Sequence, residues 1–500
     1  MVNIDNNLRI KLQARGICVI IPTYNNDTTI KSVIEDCLCY CSDVIVVNDG
    51  STDNTKAILS NIDGIIVVDY AKNKGKGYAL KRGFLKAKSL GFSYAITIDS
   101  DGQHFPSDII TFLHANQEHP GSLIIGERNL TGADRSSGSD FANKFSNFWF
   151  FVQTGKKLSD TQTGYRLYPL KKLYGLPLLT SRYEAELELL VSASWHGINI
   201  VPIPINVYYP PRAERVSHFR PFADFMRISL LNTILCVLAV LYGLPLRLWR
   251  WLSKYLRTVF AIVFCIVVIM FIISPIIWIY SKIGKFDEHK RLTIHKIINR
   301  FARLLMFNIG IPGTRFSYSN LTGEDFVKPS VIICNHQSHL DLMCQLIFTP
   351  KMVFLTNNWV WNNPIYGLII RNAEFYPVAE GVETLMPKLK DLVNRGYHIA
   401  IYPEGTRSPD CKILRFHKGA FLVAKELNID ILPMYLYGPG KVLPKNKHTL
   451  SKGPIHIEVG ARFSPSQLSE LGNIRKQASY MRHHYENAYE QLCDKIEQDV

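Results

Sequence analysis

Two long runs without a charged residue do most to limit what this chain can fold into. Residues 228–246 form one run of 19 and residues 258–281 another of 24. A bilayer's hydrocarbon core takes about 20 helical residues, so either run could cross it. Between them Arg247, Arg250, Lys254 and Arg257 alternate with Trp249 and Trp251, residue types that gather at a membrane surface. If both runs spanned, this basic stretch would land outside, against the positive-inside preference. If only one spanned, the flanking parts of the chain would face opposite compartments. Pro245 and Pro275 interrupt the runs, so partly inserted hairpins or interfacial helices are expected. A buried helical layer of a soluble fold competes with this reading, but the Trp/Arg collar favours a membrane.

The rest of the chain is globular in composition. Five hundred residues exceed one core, and 47% hydrophobic with 20% charged residues excludes general disorder. The balance of 57 basic to 42 acidic residues gives +15, which would suit nucleic acid, acidic lipid or phosphorylated substrates. No nucleic-acid motif is present and the basic residues lie beside apolar segments, so membrane and phosphates are the expected partners, with no nucleic acid. The ten cysteines lack metal-ligand spacing. Cys37 and Cys41 fall on the apolar face of a helix while Cys39 points elsewhere; buried reduced thiols are expected. Residues 1–16 lack a secretory core, which implies a cytosolic, reducing compartment.

Strand-like runs at 17–21, 43–47, 64–68 and 94–98 alternate with helical spacing at 30–41 and 78–90. That order implies an α/β domain with a Rossmann-like parallel sheet, whose ligands sit beyond the carboxyl ends of the strands. After residue 282 the alternation resumes, with strands at 331–334, 397–402 and 429–436, giving a second α/β domain. The tail is polar and helical, with Ser464-Pro465 as its start signal. The expected divisions are 1–226, 227–282, 283–465 and 466–500.

Two residues apart at a strand end, Asp99 and Asp101 point to one side and can face one ligand. Two carboxylates there suit Mg²⁺ or Mn²⁺, which would bind a diphosphate and neutralise it as it leaves. Turns with unusual polar residues follow the other strands: Pro22-Thr-Tyr-Asn25, Asn48-Asp-Gly-Ser-Thr-Asp53 and Asn73-Lys-Gly-Lys-Gly-Tyr-Ala79. With Asp160-Thr-Gln-Thr-Gly-Tyr-Arg166 and Tyr183-Glu-Ala-Glu186, this set resembles the family 2 glycosyltransferases of the GT-A fold, particularly the dolichyl- and polyprenyl-phosphate sugar synthases. The resemblance covers about the first 225 residues. It implies that Asp49 and the Pro22 turn hold the nucleoside of a nucleotide-sugar, that Asp99 and Asp101 hold the metal, and that Lys76 and Arg166 meet phosphate oxygens. A lipid-phosphate acceptor is already ionised. A hydroxyl acceptor would need a carboxylate base, for which Asp160 and Glu184 are the candidates, with a cap or ion pair as the bland reading of both. Asn48-Asp49 departs mildly from the family's acidic pair.

In Val331-Ile-Ile-Cys-Asn-His-Gln-Ser-His-Leu-Asp341 a histidine and an aspartate stand five residues apart. Five helical residues turn through about 140°, so His336 must precede the helix if it is to meet Asp341. Ser338 and Asp341 have capping-box spacing, and Asp341 could simply cap backbone N–H groups. Ile401-Tyr-Pro-Glu-Gly-Thr-Arg-Ser408, Phe416-His-Lys-Gly-Ala420 and Ile431-Leu-Pro-Met434 follow in order. Together these blocks resemble the lysophospholipid, or glycerol-phosphate, acyltransferase family over residues 283–465. The resemblance implies His336 as general base and Asp341 as the group fixing its tautomer, with direct attack on a thioester of acyl-CoA or acyl carrier protein. It places Glu404, Gly405 and Arg407 at the acceptor site and Lys418 nearby, and leaves His339 and His417 as polar neighbours. Glu380 stands about where many members carry a phosphate-binding arginine, which points to an acceptor other than simple lysophosphatidate.

These readings combine into a bifunctional transferase on the cytoplasmic face of the cell membrane. It would move a sugar to a lipid or lipid phosphate, and an acyl group to a hydroxyl or amine of a lipid precursor. Such fusions resemble bacterial enzymes of glycolipid or aryl-polyene lipid-pigment synthesis. The alternatives are an active acyltransferase with the first fold as a nucleotide-sugar-binding module, and a non-enzymatic basic scaffold.

Overall fold

The computed structural model describes residues 6–128, 137–176, 178–208, 221–309 and 313–499. The chain divides into two compact units, Met1–Arg250 and Trp251–Val500, each built on its own sheet.

The first sheet holds β1 (Ile17–Thr23), β2 (Val44–Asn48), β3 (Ile65–Asp69), β4 (Tyr94–Thr97), β5 (Leu123–Arg128), β6 (Arg166–Pro169) and β7 (Ile200–Ile205), in the order β3-β2-β1-β4-β6-β5-β7. Every residue of β1 and β2 is buried, as β-branched runs covered on both faces must be. The helices Ile30–Tyr40 and Lys76–Ser89 follow β1 and β3. β6 runs antiparallel to both β4 and β5, so the sheet is mixed where the strand–helix alternation implied a parallel one. Cys39, expected off the apolar face, is buried as well, with its thiol donating to the Glu35 carbonyl.

A crevice is prepared by how β1 ends. Its ladder with β4 stops at Ile20↔Thr97, whereas its ladder with β2 continues to Thr23↔Asn48. Pro22 stands just past the stop on the β4 side, where a missing N–H breaks no bond. β1 and β4 part at their carboxyl ends, where Asp99 follows.

Among the described residues one helix, Phe225–Lys282, is long and apolar enough to cross a membrane. Its 58 residues are nearly three times the about 20 that a bilayer needs. No hairpin interrupts it. Instead, π-turns at Ala239–Gly243 and Val268–Ile273 come directly before Pro245 and Pro275, and each shift of register absorbs the hydrogen bond that a proline cannot make. Trp249, Trp251, Phe271 and Trp278 are all exposed on this helix.

The second sheet holds β8 (Thr314–Asn320), β9 (Ser330–Cys334), β10 (Met352–Phe354), β11 (His398–Ile401), β12 (Asp430–Tyr437) and β13 (Gly453–Val459), in the order β10-β11-β9-β12-β13-β8. Only β12 and β13 pair antiparallel. β9 and β12 are buried throughout. Ser464 and Gln467 close a capping box with Pro465 at the first helical turn, as the start signal requires. The helix Ile474–Asp499 then packs on β12 through Met481, Tyr485 and Leu492. The Tyr485 hydroxyl donates to the Ile333 carbonyl at 2.6 Å and accepts from Met434 N at 3.1 Å, tying this helix to both central strands.

Candidate active sites

In the first unit the strand-end turns interlock. Gly50, at φ +68°, lies where a Cβ would meet Asn73 N at 2.6 Å, so only glycine lets the second and third turns touch. Asp49 is buried and accepts from Lys74 N and Gly75 N, both at 2.8 Å. Its carboxylate thus fixes the loop leading to Lys76. Ser100 is held by Asn26, whose amide donates to its carbonyl at 2.6 Å, and by the Thr29 hydroxyl at 2.7 Å. Asp99 and Asp101 are aimed by these clamps.

Lys76 Nζ lies 2.6 Å from Asp99 and 3.2 Å from Glu186. Burial disfavours the charge of Asp99, but Lys76, His104 and Arg166 outweigh it and hold the carboxyl below its usual range. Asp101 goes the other way: burial and then repulsion from Asp99 push it up to about 6. Gly164 approaches so closely that a Cβ would stand 2.4 Å from Asp99 Oδ2.

Arg166, expected at phosphate, is turned inward. It is wholly buried and donates to the carbonyls of Thr163 (2.7 Å), Glu186 (2.9 Å) and Thr161 (2.8 Å), and to the Tyr168 hydroxyl (3.3 Å). β6 carries it into the core, where four of the guanidinium's five N–H donors go to protein groups and the buried side chain braces backbone. Asp160 takes the bland reading: Arg128 Nε and Nη2 grip its two oxygens at 2.6 and 2.8 Å. Glu184 opens the helix Glu184–Trp195, and its Oε2 is buried without a hydrogen-bond partner among the described residues. Glu186 Oε1 is in the same state.

Among the described residues no group of three or more His, Cys, Asp or Glu side chains is arranged to hold a metal. The two carboxylates on one turn, Asp99 and Asp101, are the hard oxygen donors that a divalent cation takes, and Gly164 leaves Asp99 room on its other side.

In the second unit the site follows β9. His336 lies in the loop, and the helix Asp341–Leu346 begins only at Asp341, so the imidazole does precede it. Asp341 is fully buried, and its Oδ2 accepts from His336 Nδ1 at 2.8 Å, Gln337 N at 2.6 Å and Ser338 N at 2.9 Å. Asp341 thus orients His336 and holds two N–H groups of the loop before the helix. The N-cap is Leu340, without a side-chain cap, so the capping box expected of Ser338 does not form. The His336 ring stacks on Tyr402 at 4.1 Å between centroids, tilted by 16°, and Tyr402 is fixed by Gln345 at 2.7 Å. With Nδ1 held by the carboxylate, Nε2 is left to act on a substrate.

Glu404 at the end of β11 is buried and accepts from His336 N at 2.8 Å and Leu414 N at 3.0 Å. Burial pushes its carboxyl up to about 7 despite those two donors. It braces the loop from behind. Gly405, at φ +66°, turns the chain against the His417 ring. Arg407 lies near enough to His339 to help burial keep that imidazole neutral. Lys418 lines a cavity of about 480 Å³ with residues of the C-terminal helix. Glu380, expected to repel a phosphate, pairs with Lys388 at 2.8 Å, so a cation offsets its charge.

A glycosyl transferase family 2 model matches residues 18–171, and an acyltransferase model matches residues 319–437. A UDP-N-acetylglucosamine–dolichyl-phosphate N-acetylglucosaminyltransferase of Methanococcus voltae is 31% identical over 216 residues, 39% of this chain and 86% of that one. The chain belongs to the family 2 glycosyltransferases, fused to an acyltransferase domain. A 1-acyl-sn-glycerol-3-phosphate acyltransferase of Chlamydomonas reinhardtii is 30% identical over 205 residues, 39% of this chain; the chain spans only 59% of that relative's length. Among solved structures, glucosyl-3-phosphoglycerate synthase of Mycobacterium tuberculosis, in complex with Mn²⁺, UDP and glucosyl-3-phosphoglycerate, is similar at TM-score 0.36 and 21% identity. It covers 47% of this chain and 82% of that one.

Several residues that build these two sites receive no role from the sequence, although Glu186, Gln337 and Tyr402 lie inside its motif blocks. In the glycosyltransferase domain they are Asn26, Thr29 and Glu186. In the acyltransferase domain they are Tyr402, Gln345 and Gln337, whose Nε2 meets the Tyr489 hydroxyl at 2.7 Å. Such partners lie up to 152 positions apart, and only the fold brings them together.

Proposed function

We propose that the protein is a membrane-bound bifunctional transferase with two separate active centres. The observation that carries this is the His336–Asp341 pair: an imidazole held at Nδ1 by a buried carboxylate, stacked on Tyr402, with Nε2 left for an acceptor. In the acyl reaction His336 Nε2 takes the proton of an acceptor hydroxyl or amine as that atom attacks the carbonyl carbon of an acyl-CoA or acyl carrier protein thioester. The C–S bond then breaks, and the proton passes from Nε2 to the departing thiolate. Asp341 stabilises the imidazolium between these steps.

In the glycosyl reaction an acceptor oxygen that is already ionised, as on a lipid phosphate, attacks the sugar's anomeric carbon as that carbon's bond to the nucleoside diphosphate breaks. No proton has to be removed. Asp99 and Asp101 would hold Mg²⁺ or Mn²⁺, which when bound neutralises the diphosphate. Lys76 stands beside Asp99 as a fixed cation for the same charge. Asp49 shapes the nucleoside turn beside Pro22. The apolar helix supports an acceptor that is an amphiphile, a lipid or lipid phosphate. Soluble activated donors on both sides of the chemistry support the cytoplasmic face, and products of the glycolipid or lipid-pigment kind.

Detergent-solubilised protein given a nucleotide-sugar, an acyl-CoA and membrane lipid extract tests the reading. His336→Ala should stop lipid-dependent thiol release and leave nucleoside diphosphate release intact; Asp101→Ala should do the reverse. Activity retained in both variants would reject it.

A further inference from the structure

The cavity beside Lys418 is lined by Arg415, Phe416, Lys418, Arg475, Ser479 and Arg482 and measures about 480 Å³, in the range of small-ligand pockets. Its charge is one-sided. Among the described residues Arg415, Lys418 and Arg475 meet no carboxylate, and only Arg482 does, at Glu486 (2.8 Å). Arg482 Nε is buried with no hydrogen-bond partner. Arg475, Ser479 and Arg482 recur at helical spacing along one face of Ile474–Asp499, near its N-terminus. Helices favour acids there, so Arg475 and Lys476 sit at the electrostatically wrong end. Lys418 stands at a second N-terminus, that of Gly419–Leu427. Four cations, three of them exposed and without a carboxylate, and the first residues of two helices thus line one concavity, a lining that suits an anion.

We propose that this cavity binds the phosphorylated nucleotide end of a coenzyme A thioester, an inference that rests on the acyltransferase reading of His336. The acceptor's own phosphate is the poorer occupant, because it must stay close to the hydroxyl that meets His336. Phe416 and Tyr485, with ring centroids 5.2 Å apart and both buried, stand between the cavity and β9, which leads into His336. A donor with a long pantetheine arm bridges such a gap. The concave shape suits a small polyanion better than the convex acidic face of a carrier protein.

Calorimetric titration of the full-length protein in detergent tests this with three probes: coenzyme A, its analogue lacking the 3′-phosphate, and inorganic phosphate. Coenzyme A should bind wild type and His336→Ala equally. The Arg475→Ala/Arg482→Ala double variant, melting as wild type does, should bind it at least tenfold more weakly. The dephosphorylated analogue should bind wild type more weakly and lose less in the double variant. Coenzyme A affinity within twofold in the double variant would overturn the proposal. So would inorganic phosphate competing at equal concentration, or an acidic carrier protein binding where coenzyme A does not. If His336→Ala still transfers acyl groups while the double variant loses coenzyme A, the catalytic reading fails and the binding site stands.

Discussion

Replacing Asp341 by asparagine changes one buried atom and should separate orientation from folding. Asp341 Oδ2 receives three donors, His336 Nδ1 and the backbone N–H groups of Gln337 and Ser338, within 2.9 Å. Its Oδ1 is buried and has no hydrogen-bond partner among the described residues. Asparagine can keep its carbonyl on the three donors, which points its amide to the Oδ1 side, where no acceptor waits. Three charge-assisted bonds become neutral, at a cost of roughly 1 kcal/mol each, and a buried N–H without an acceptor adds about 1–3 kcal/mol. Against a domain stability of about 5–15 kcal/mol, the variant folds but melts earlier. The rate suffers more. Without the carboxylate nothing stabilises the imidazolium, and kcat should fall on the order of 10³-fold or more with KM little changed. Thiol release from acyl-CoA, followed with circular dichroism melting on the same samples, measures both effects. A variant with kcat within threefold of wild type would refute the dyad.

Three further outcomes follow from the geometry. Gly164→Ala forces a Cβ to 2.4 Å from Asp99 Oδ2, so Mn²⁺ affinity and sugar transfer should both drop, the latter on the order of 10²-fold; titration by electron paramagnetic resonance showing unchanged affinity would contradict this. Tyr489→Phe removes the partner of Gln337 Nε2 and should cost about 1 kcal/mol of stability. It should also lower acyl-transfer kcat but not KM, and a change in KM alone would argue against a role in holding the His336 loop. Burial in the second unit keeps His295 at about 4, below its ordinary 6.5. Between those values the unfolded chain takes a proton that the folded chain refuses, so this contribution is full above pH 6.5 and lost as pH falls towards 4, up to about 3 kcal/mol. His295→Phe, packing on Phe375 and Tyr397, should flatten that loss in denaturant midpoints at pH 5 against pH 7.5; equal losses in both proteins would count against it.

The strands that carry the sites were legible because they are long and apolar: β1, β2, β9 and β12 bury every residue. β6 was not, since four residues leave no period to read, and its antiparallel run made the sheet mixed. The Pro245 and Pro275 breaks suggested separate apolar elements. Nothing in composition tells a turn from a π-register shift, and the structure takes the shift. Side-chain fate was harder still. A motif arginine looks the same on paper whether it meets phosphate or, like Arg166, backbone carbonyls. His336 and Asp341 were legible because the blocks 401–408, 416–420 and 431–434 accompany them; their spacing alone fits a backbone cap as well. Tyr402 and Tyr489 reach the same loop from distant strands and helices.

Lipid profiling by mass spectrometry of cells expressing wild type, His336→Ala or Asp101→Ala puts the two-centre claim to the most direct test. The expected result is a wild-type lipid product whose acyl-bearing species vanish in the first variant and whose sugar-bearing species vanish in the second. Extracts from both variants that match wild type would contradict it.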